Sequence, residues 1–417
     1  MSGFANAVIG WQRRHGRHDL PWQGTRDAYR IWVSEIMLQQ TQVGSVIPYY
    51  LRFVERFPDV RALAAADVDE VLALWSGLGY YSRARNLHAC ARLVSSAAGG
   101  EFPRSAEALA ALPGIGPSTA AAIAAFAFGE RAAILDGNVK RVFCRYFAVE
   151  GYPGAPAIER ALWEIARREL PETGIDAYTQ GLMDLGATLC TRARPACTRC
   201  PLREGCRALA EQRVESLPAP RPRRAIPSRR ALMLVALRGD EVLLEKRPPT
   251  GIWGGLWSLP QAALPDDEAP ASRPAPEEQA ALRELGAALA LPPTADATEL
   301  PGFVHAFTHF RLQVRPVLFE LPGARHLADP AGRVWMPLAD VDTAALPQPV
   351  KALLRRVREL RSPGAGAGTG APATAGPADR TAPSASASRG QGSAGTRRSG
   401  SRPTPPSRTR RARPPSG

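Results

Sequence analysis

Four cysteines that fall within seventeen residues constrain the fold more than any other feature of this sequence. They are Cys190, Cys197, Cys200 and Cys206, separated by six, two and five residues in a chain that has six cysteines. In a reducing compartment, thiols this close together are more typical of a metal site than of a disulfide framework. Four thiolates suit tetrahedral zinc or a [4Fe-4S] cluster, and one tight pair with wide outer gaps favours iron and sulfur. Zinc remains the alternative, since tetrathiolate zinc tolerates irregular loops.

Length and charge limit the number of domains and the class of partner. A chain of 417 residues is too long for one compact core, so we expect two or three domains. The net charge of +14 is concentrated at the C-terminus, where residues 361–417 hold ten arginines and one aspartate and carry +9. The other 360 residues carry only +5. The tail therefore offers a general electrostatic contact to nucleic acid; a solvated tail without a specific role is the alternative.

Periodicity and composition divide the chain into four segments. Residues 1–210 have helical periodicity from about Ala28 and predict an all-α domain. Proline and arginine dominate residues 211–230, a predicted linker, and residues 231–360 predict an α+β domain. The expected strands are residues 231–237, 241–246 and 311–321, and the expected helix is 277–290. Residues 361–417 have almost no large apolar side chain, so we expect a disordered basic tail.

No part of the sequence predicts export or membrane insertion. The N-terminus has no apolar core before Trp11 that would make a signal peptide. No stretch approaches the ~20 apolar residues of a membrane span. We therefore expect a soluble intracellular protein without a membrane partner.

A Gly-Ile-Gly turn stands between two alanine-rich stretches of helical character, residues 106–111 and 121–128. Gly114 and Gly116 let the backbone approach a ligand closely, and the N–H groups at the start of the second helix favour an anion. Such a turn can hold a DNA phosphate without reading sequence. Glycines also serve as ordinary helix caps, so the turn gains weight only from the motifs around it.

Asp136 follows a short apolar run and opens a predicted helix. The buried stripe of that helix is Val139, Val142, Phe143 and Tyr146. An ionised carboxylate fixed by backbone N–H groups, with a depressed pKa, would stabilise a positive sugar ring in a transition state. The alternative is that Asp136 only caps the helix.

Glu35 is a second candidate, because its helical neighbours are largely apolar. On a helix it shares a face with Ile31, Leu38 and Gln39. Burial there would raise its pKa toward a value useful for a general acid, whereas most helical glutamates are exposed and inert. One protonated and one ionised carboxylate form the pair that cleaves glycosidic bonds through an oxocarbenium-like state.

The sequence resembles the adenine DNA glycosylases of the MutY family, within the helix-hairpin-helix glycosylase superfamily. The resemblance lies in WVSEIMLQQTQV, GLGYYSRARNLH, LPGIGPSTAAAI, ILDGNVKRV and the four cysteines. It is dense over residues 4–210 and thinner over 229–360. It implies a helix-hairpin-helix at 106–128 and a [4Fe-4S] cluster on the loop 190–206. It also implies base excision repair of double-stranded DNA with adenine opposite 8-oxoguanine or guanine, by a monomeric, cytoplasmic, nucleoid-associated enzyme.

The resemblance also implies roles for individual residues. Glu35 would protonate the adenine and later help to activate water, Asp136 would stabilise the cationic sugar or its covalent adduct, and Asn138 would assist. The endonuclease III branch has a lysine where this chain has Ser118, and that lysine forms a Schiff base and cuts the strand. A hydroxyl cannot do so, and we expect a monofunctional glycosylase. The residues expected to contact DNA around this site are Gly114, Gly116, Ser118 and Lys140.

Adenine inside a duplex must be flipped out, at a cost of about a few kcal/mol, and something must fill the gap. Gln39, Gln40 and Tyr80 are candidates. The resemblance implies that Gln40 and Tyr80 probe the opposite base and wedge the stack. Otherwise Gln40 is a surface helix residue and Tyr80 caps a glycine turn.

The second domain resembles the C-terminal domain of the family, which is related to Nudix hydrolases, through residues 250–260. An active Nudix helix needs the glutamate-rich pattern REUxEExGU, but here residues 283–285 read Arg-Glu-Leu and Gly-Ala-Ala follows. We therefore expect recognition without hydrolysis. In the family a Phe-Ser-His loop contacts 8-oxoguanine, and this chain has Phe307, Thr308 and His309. His309 is alternatively a structural strand residue.

Two rival interpretations remain open at this stage. One is another helix-hairpin-helix mismatch glycosylase, for instance one acting on thymine, and the GIWGGLWSLP segment of the second domain argues against it. The other is a DNA-binding iron-sulfur protein without catalysis, in which Asp136 is only a cap and Glu35 only a helix residue.

Overall fold

The computed structural model describes most of the first 361 residues. The described ranges are 3–97, 99–222, 226–265, 276–289, 291, 297–321 and 332–361. The predicted disordered tail lies outside them, apart from Arg361. None of the helices in these ranges has the length and apolar content needed to span a bilayer.

The N-terminal half is helical throughout the described residues. Its α-helices are α1 (Gly3–His15), α2 (Ala28–Leu38), α3 (Val43–Arg56), α4 (Val60–Ala65), α5 (Val68–Trp75), α6 (Ser82–Ala97), α7 (Ala106–Ala110), α8 (Pro117–Ile123), α9 (Gly137–Tyr146), α10 (Pro156–Arg168), α11 (Ile175–Asp184) and α12 (Arg207–Ala210). Short π-helical turns, Ala124–Phe128 and Leu185–Leu189, extend α8 and α11. Several helices begin where an acidic or hydroxyl side chain accepts a bond from the first free N–H groups, at Asp27, Asp59, Asp67, Ser105 and Asp136.

Two apolar cores stabilise this half. One is built around large aromatic side chains of α2, α3 and α5, among them Trp32, Tyr50, Phe53 and Trp75. The other lies between α1, α9, α10 and α11 and includes Phe143, as the stripe of α9 predicts. Full burial of such side chains contributes roughly 1.5–3 kcal/mol each. The cleft between the two cores holds the candidate site.

The C-terminal half is built on a mixed sheet. Its described strands are β1 (Ser228–Arg238), β2 (Glu241–Lys246), β3 (Trp257–Ser258), β4 (Gln261–Leu264), β5 (Thr298–Glu299), β6 (Phe303–Ala306), β7 (Arg311–Glu320) and β8 (Arg333–Pro337), with the helices α13 (Pro276–Ala288) and α14 (Gln348–Arg361). The main path is β3-β2-β1-β7-β5, with β4 beside β1, β6 beside β7 and β8 beside β2. The pair β1–β7 is parallel and the other pairs are antiparallel.

The central strand β1 explains how this sheet is covered on both faces. It is buried from Arg230 to Leu237, as a strand between two layers should be. Alternate side chains point to opposite faces, so Leu232 and Leu234 pack with the side chains of α13. Met233 and Val235 belong instead to the apolar cluster that contains α14 and the helical half.

Polar contacts join the sheet half to α5 and α6. Asp69 accepts hydrogen bonds from Lys246 Nζ and, at 3.1 Å, from Trp257 Nε1. Ser76 Oγ donates to the carbonyl of Leu346 at 2.9 Å. A guanidinium N–H of Arg85 donates to the carbonyl of Gly254. The glycine-rich segment 250–256 therefore packs against the helical half at α5 and α6.

The predicted fold class, helical domain followed by an α+β Nudix-like domain, is confirmed. Its expected strands and helix correspond to β1, β2, β7 and α13. Five shorter strands have no counterpart in the prediction, because two- to five-residue strands carry too little periodicity to detect. The helix α14 has no counterpart either. The helix α1 was also missed.

Candidate active site

A cavity of about 410 Å³ brings together most of the residues predicted for catalysis. Its lining includes Glu35, Gln39, Gln40, Ser118, Asp136, Gly137 and Asn138. These side chains come from the end of α2, the start of α8 and the start of α9. The volume is within the range of small-molecule sites. The cavity can therefore hold a small polar ring beside two carboxyl groups.

Glu35 lies on α2 and is only partly exposed, toward this cavity. Burial, followed by the negative charge of Asp136, raises its pKa to about 8. The helix is fixed at its start by Asp27, whose carboxylate accepts from the N–H of Tyr29 at 2.9 Å. A carboxyl group with this pKa is protonated at neutral pH and can donate a proton.

Asp136 is the N-cap of α9 and accepts the N–H of Val139 at 2.7 Å. The amide nitrogen of Asn138 donates to its other oxygen at 3.2 Å. The predicted depression of its pKa is wrong: the pKa is raised, because loss of water contact outweighs the hydrogen bonds that favour the ionised form. Asp136 therefore both caps α9 and lines the cavity.

The Gly-Ile-Gly turn lies between α7 and α8. Gly114 has φ +78°, and a Cβ there would lie 2.8 Å from the Cβ of Asn86, so glycine is required. Gly116 caps α8 and faces open space. The second helix begins at Pro117, four residues before the predicted start, because proline suits the first helical position. Ser118 Oγ accepts the N–H of Leu135 at 3.2 Å, which ties the hairpin to the segment entering Asp136.

Gln40 and Tyr80 both lie in turns with a left-handed backbone, at φ +58° and +49°. The helix α2 ends at Leu38, so Gln40 is not a helix residue, contrary to the alternative considered above. Gln39 points inward and its amide donates to Thr119 at 3.2 Å. Gln40 and Tyr80 are exposed, Tyr80 by 41%. Gln40 lines the cavity and Tyr80 does not, but both side chains are exposed to a ligand.

Sequence reasoning missed one wall of the cavity, which includes Arg17, Trp22 and Gln180. Asp184 is fully buried and holds this wall: it accepts from Arg17 Nε at 2.7 Å and from Gln180 at 2.8 Å. Arg17 and Asp184 are 167 residues apart in the sequence, and no periodicity or motif signals such a contact. Met183 from α11 lines the same side.

Lys140 lies one turn into α9. Its ammonium group is 2.6 Å from a carboxylate oxygen of Glu159 on α10. Its side chain is largely covered, which limits the reach expected for a DNA contact.

Two of the four cysteines, Cys190 and Cys206, contact Arg145. This guanidinium donates to Cys190 Sγ at 3.4 Å, and the Cys206 thiol donates to the Arg145 carbonyl at 3.7 Å. Burial, followed by the charges of the other three thiols, raises the pKa of Cys200 to about 11. Among the described residues, no three His, Cys, Asp or Glu side chains converge as ligands of a single metal ion.

The cysteine loop is also linked to the cavity through Arg141. Arg141 donates to the Cys190 carbonyl at 2.6 Å and to Asn138 Oδ1 at 2.9 Å. Since Asn138 donates to Asp136, hydrogen bonds run without interruption from this loop to the carboxylate.

Comparison with known proteins finds relatives of both halves of the chain. The model of the HhH-GPD superfamily of base excision DNA repair proteins matches residues 33–168, and a Nudix domain model matches residues 231–356. A solved thermostable thymine-DNA glycosylase is 32% identical with a TM-score of 0.46, over 50% of this chain and 95% of that chain. The adenine DNA glycosylase of Buchnera aphidicola (strain APS) is 34% identical over 85% of this chain and 98% of that protein. The chain belongs to the adenine DNA glycosylase family. The human adenine DNA glycosylase is 33% identical over 87% of this chain and 75% of that protein.

Membership in the adenine DNA glycosylase family confirms the predicted enzyme class, a DNA glycosylase of the hydrolases. The second domain of this family member carries the Phe307, Thr308 and His309 loop between β6 and β7. His309 lies in the bend, so the strand alternative is wrong. Phe307 stacks on Phe310 with 4.6 Å between ring centroids, and Thr308 Oγ1 lies 3.0 Å from His309 Nε2. Thr308 and His309 are thereby presented together at the surface.

Proposed function

We propose that this protein hydrolyses the N-glycosidic bond of adenine mispaired with 8-oxoguanine or guanine in double-stranded DNA. The observation that carries the proposal is the presence of Glu35 and Asp136 in one cavity, with Glu35 protonated at neutral pH. The relatives named adenine DNA glycosylase support adenine as the base. The preference for the opposite base comes from the family resemblance.

Glu35 acts as the general acid. Adenine is a poor leaving group as an anion, and a proton on a ring nitrogen lets it depart as a neutral base. A carboxyl group with a pKa of about 8 keeps its proton until the substrate arrives. After donation, the carboxylate accepts a proton from the attacking water. Catalysis of this kind contributes typically about 10²–10⁴-fold in rate.

Asp136 stabilises the positive charge that develops on the sugar. Its hydrogen bonds from Val139 and Asn138 orient the carboxylate and favour its ionised form. The positive charge on the sugar, which develops as Glu35 gives its proton to the departing adenine, favours the ionised form of Asp136.

The adenine reaches the cavity by leaving the base stack. Gln40 probes the opposite base and Tyr80 wedges the stack, since both are exposed on turns next to the cavity-forming helices. Trp22 and Gln180 offer an aromatic face and an amide on the opposite wall. The open N-terminus of α8 at Gly116 binds a phosphate of the same strand.

The reaction stops at an abasic site. Ser118 lines the cavity at the position where a lysine would form a Schiff base, and its hydroxyl already accepts from Leu135. The strand is therefore cut only after alkali. Efficient trapping of the protein on DNA by borohydride would contradict this part of the proposal.

The cysteine loop holds a [4Fe-4S] cluster. The donor set fits: the Cys190 and Cys197 thiols raise the pKa of both Cys200 and Cys206, so the four sulfurs are neighbours, and four thiolates with this spacing suit an iron-sulfur cluster. When bound, the cluster supplies cross-links among Cys190, Cys197, Cys200 and Cys206. The loop then presents the basic side chains of Arg192, Arg194 and Arg199 to phosphate.

The second domain recognises 8-oxoguanine and does not hydrolyse nucleotides. The buried carboxylate of α13, Glu278, pairs with Arg230 at 2.7 Å and with Arg315. It is therefore neutralised by arginines instead of being open to Mg²⁺. The hydroxyl of Thr308 and the ring of His309 are the polar groups that meet the oxidised base.

Single-turnover excision on matched duplexes tests the proposal. Adenine is placed opposite 8-oxoguanine, guanine or thymine, and the chain is used with and without residues 362–417. We expect the fastest excision opposite 8-oxoguanine and the slowest opposite thymine. Removal of the tail should weaken binding at low salt and leave the saturated rate unchanged. Equal scission by wild type, Glu35→Gln and Asp136→Asn after alkali would favour a protein without this catalysis.

A further inference from the structure

Arg83 is nearly buried at the start of α6, with 8% of its surface exposed, yet it lies outside the catalytic cavity. One nitrogen of its guanidinium, Nη1, donates to three carbonyls at the end of α2. These belong to Ile36 and Met37, both at 2.8 Å, and to Gln39 at 2.7 Å. Free carbonyls at the end of a helix need such partners, so Arg83 completes α2.

The other terminal nitrogen, Nη2, reaches a different segment. It donates to the carbonyls of Leu78 at 3.3 Å and Gly79 at 3.2 Å, and to Thr41 Oγ1 at 3.2 Å. One planar group therefore bridges the end of α2 and the turn between α5 and α6. Burial lowers its pKa only to about 10, so it is charged at neutral pH.

The bridged carbonyls have a specific relation to the two exposed candidates. Gln39 and Gly79 immediately precede Gln40 and Tyr80, and both of these have a left-handed backbone. Non-glycine residues rarely adopt this conformation, and it persists where the surroundings hold the backbone in place. Arg83 thus fixes the peptide group that enters each of the two residues.

Aromatic rings enclose the same guanidinium. The rings of Trp75 and Tyr80 lie 5.3 and 5.4 Å from its central carbon. Trp75 Nε1 also donates to the Gly79 carbonyl at 3.2 Å. Tyr80 is consequently held by its ring as well as by its backbone.

We propose that Arg83 is a positioning residue that presents Gln40 and Tyr80 to the duplex as one rigid unit. Through it, reading of the opposite base and extrusion of the adenine occur together. The inference rests on the proposed function, since it assigns Arg83 to the residues that enter the base stack and not to the chemistry. A lysine cannot replace it, because an ammonium is a compact donor that does not span both turns.

Arg83→Lys tests the proposal with two DNA substrates. In the first, adenine lies opposite 8-oxoguanine, so extrusion and reading are both required. In the second, adenine lies opposite an abasic site, where there is no base to read and extrusion is easier. We expect the single-turnover rate to fall at least about tenfold on the first and less than about threefold on the second. The pH dependence of the residual rate should match wild type, because Glu35 is unchanged.

Two further variants separate positioning from general damage. Arg131→Lys is the matched control, since Arg131 donates to the carbonyls of Leu170 and Pro171, which do not line the cavity, and the substitution should not change the ratio of the two rates. Thr41→Val removes one of the hydrogen bonds of Arg83 and leaves its charge unchanged. It should modestly lower the ratio of the rate opposite 8-oxoguanine to the rate opposite an abasic site. Thr41→Val replaces Arg83→Lys in this test if Arg83→Lys unfolds below the assay temperature.

Equal slowing on both substrates by Arg83→Lys, or no slowing on either, would overturn the inference. So would an unchanged ratio in Thr41→Val when Arg83→Lys does not fold. Failure of the proposed function gives a different result, because the wild-type protein would then release adenine from neither substrate.

Discussion

Glu35 and Asp136 come from distant parts of the sequence and line the same cavity, where the charge of Asp136 adds to the raised pKa of Glu35. Burial raises the pKa of both carboxyl groups. Glu35 keeps its proton at neutral pH inside the cavity, where a leaving base could receive it. This relationship leads to the first three predictions below.

Glu35→Gln should slow adenine excision by about 10²–10⁴-fold, because the amide fills the same space without an acidic proton. The measurement is the single-turnover rate on duplex with adenine opposite 8-oxoguanine, together with binding affinity, which should stay near wild type. Glu164→Gln, on the exposed side of α10, is the matched control and should keep the wild-type rate. A fully active Glu35→Gln protein would remove Glu35 from the mechanism.

Stability should fall as the pH rises from about 4.5 to 8, and excision should fall as the pH passes about 8. The pKa of Glu35 is about 8 in the folded protein and 4.5 in its ordinary state, so the folded chain holds a proton that the unfolded chain loses. Stability is therefore lost progressively from about pH 4.5 to 8, by an amount on the order of a few kcal/mol. Thermal melting of wild type and Glu35→Gln across this range checks it. The two curves should diverge with rising pH, with Glu35→Gln the more stable; parallel curves would contradict the raised pKa.

Asp136→Asn should lower the excision rate by about 10²-fold or more while leaving the fold intact. Asparagine caps helices about as well as aspartate, so the stability should change by less than about 1 kcal/mol. It cannot offer a negative charge to the sugar. Asp59→Asn makes the same change at the cap of α4, where the carboxylate accepts from Arg61 and Ala62, and should excise at the wild-type rate. Similar rates in the two variants would reduce Asp136 to a cap.

Purified protein should contain iron and sulfide in equal amounts and no zinc. Cys200→Ser should lose both elements and melt at a lower temperature, because the loop then lacks one of its cross-links. Cys90→Ser is the control, since this buried cysteine lies on α6 outside the cysteine loop, and its iron content should not change. Stoichiometric zinc in an active, colourless protein would overturn the iron-sulfur proposal alone.

Local patterns predicted the features that depend on neighbours in the sequence. The stripe of α9 predicted its buried face, and the apolar run 231–237 predicted the central strand. The Gly114 turn required glycine because of backbone geometry, and the position of Asp136 before a helix required a cap. The apolar surroundings of Glu35 predicted the direction of its pKa shift.

Contacts between distant segments decided the rest. Asp136 was expected to have a lowered pKa because its cap bonds are visible in the sequence, whereas the packing that removes its water is not. The left-handed turn at Gln40 and the wall formed by Arg17 and Asp184 were likewise not predicted, because they depend on contacts between distant segments. The sequence by itself determined the family and the two halves, and it predicted both carboxylates of the cavity and the raised pKa of Glu35, since these depend on residue type and spacing. Only the tertiary structure decided the direction of the Asp136 pKa shift and which arginine holds the turns, because desolvation and bridging bonds depend on groups far apart in the chain.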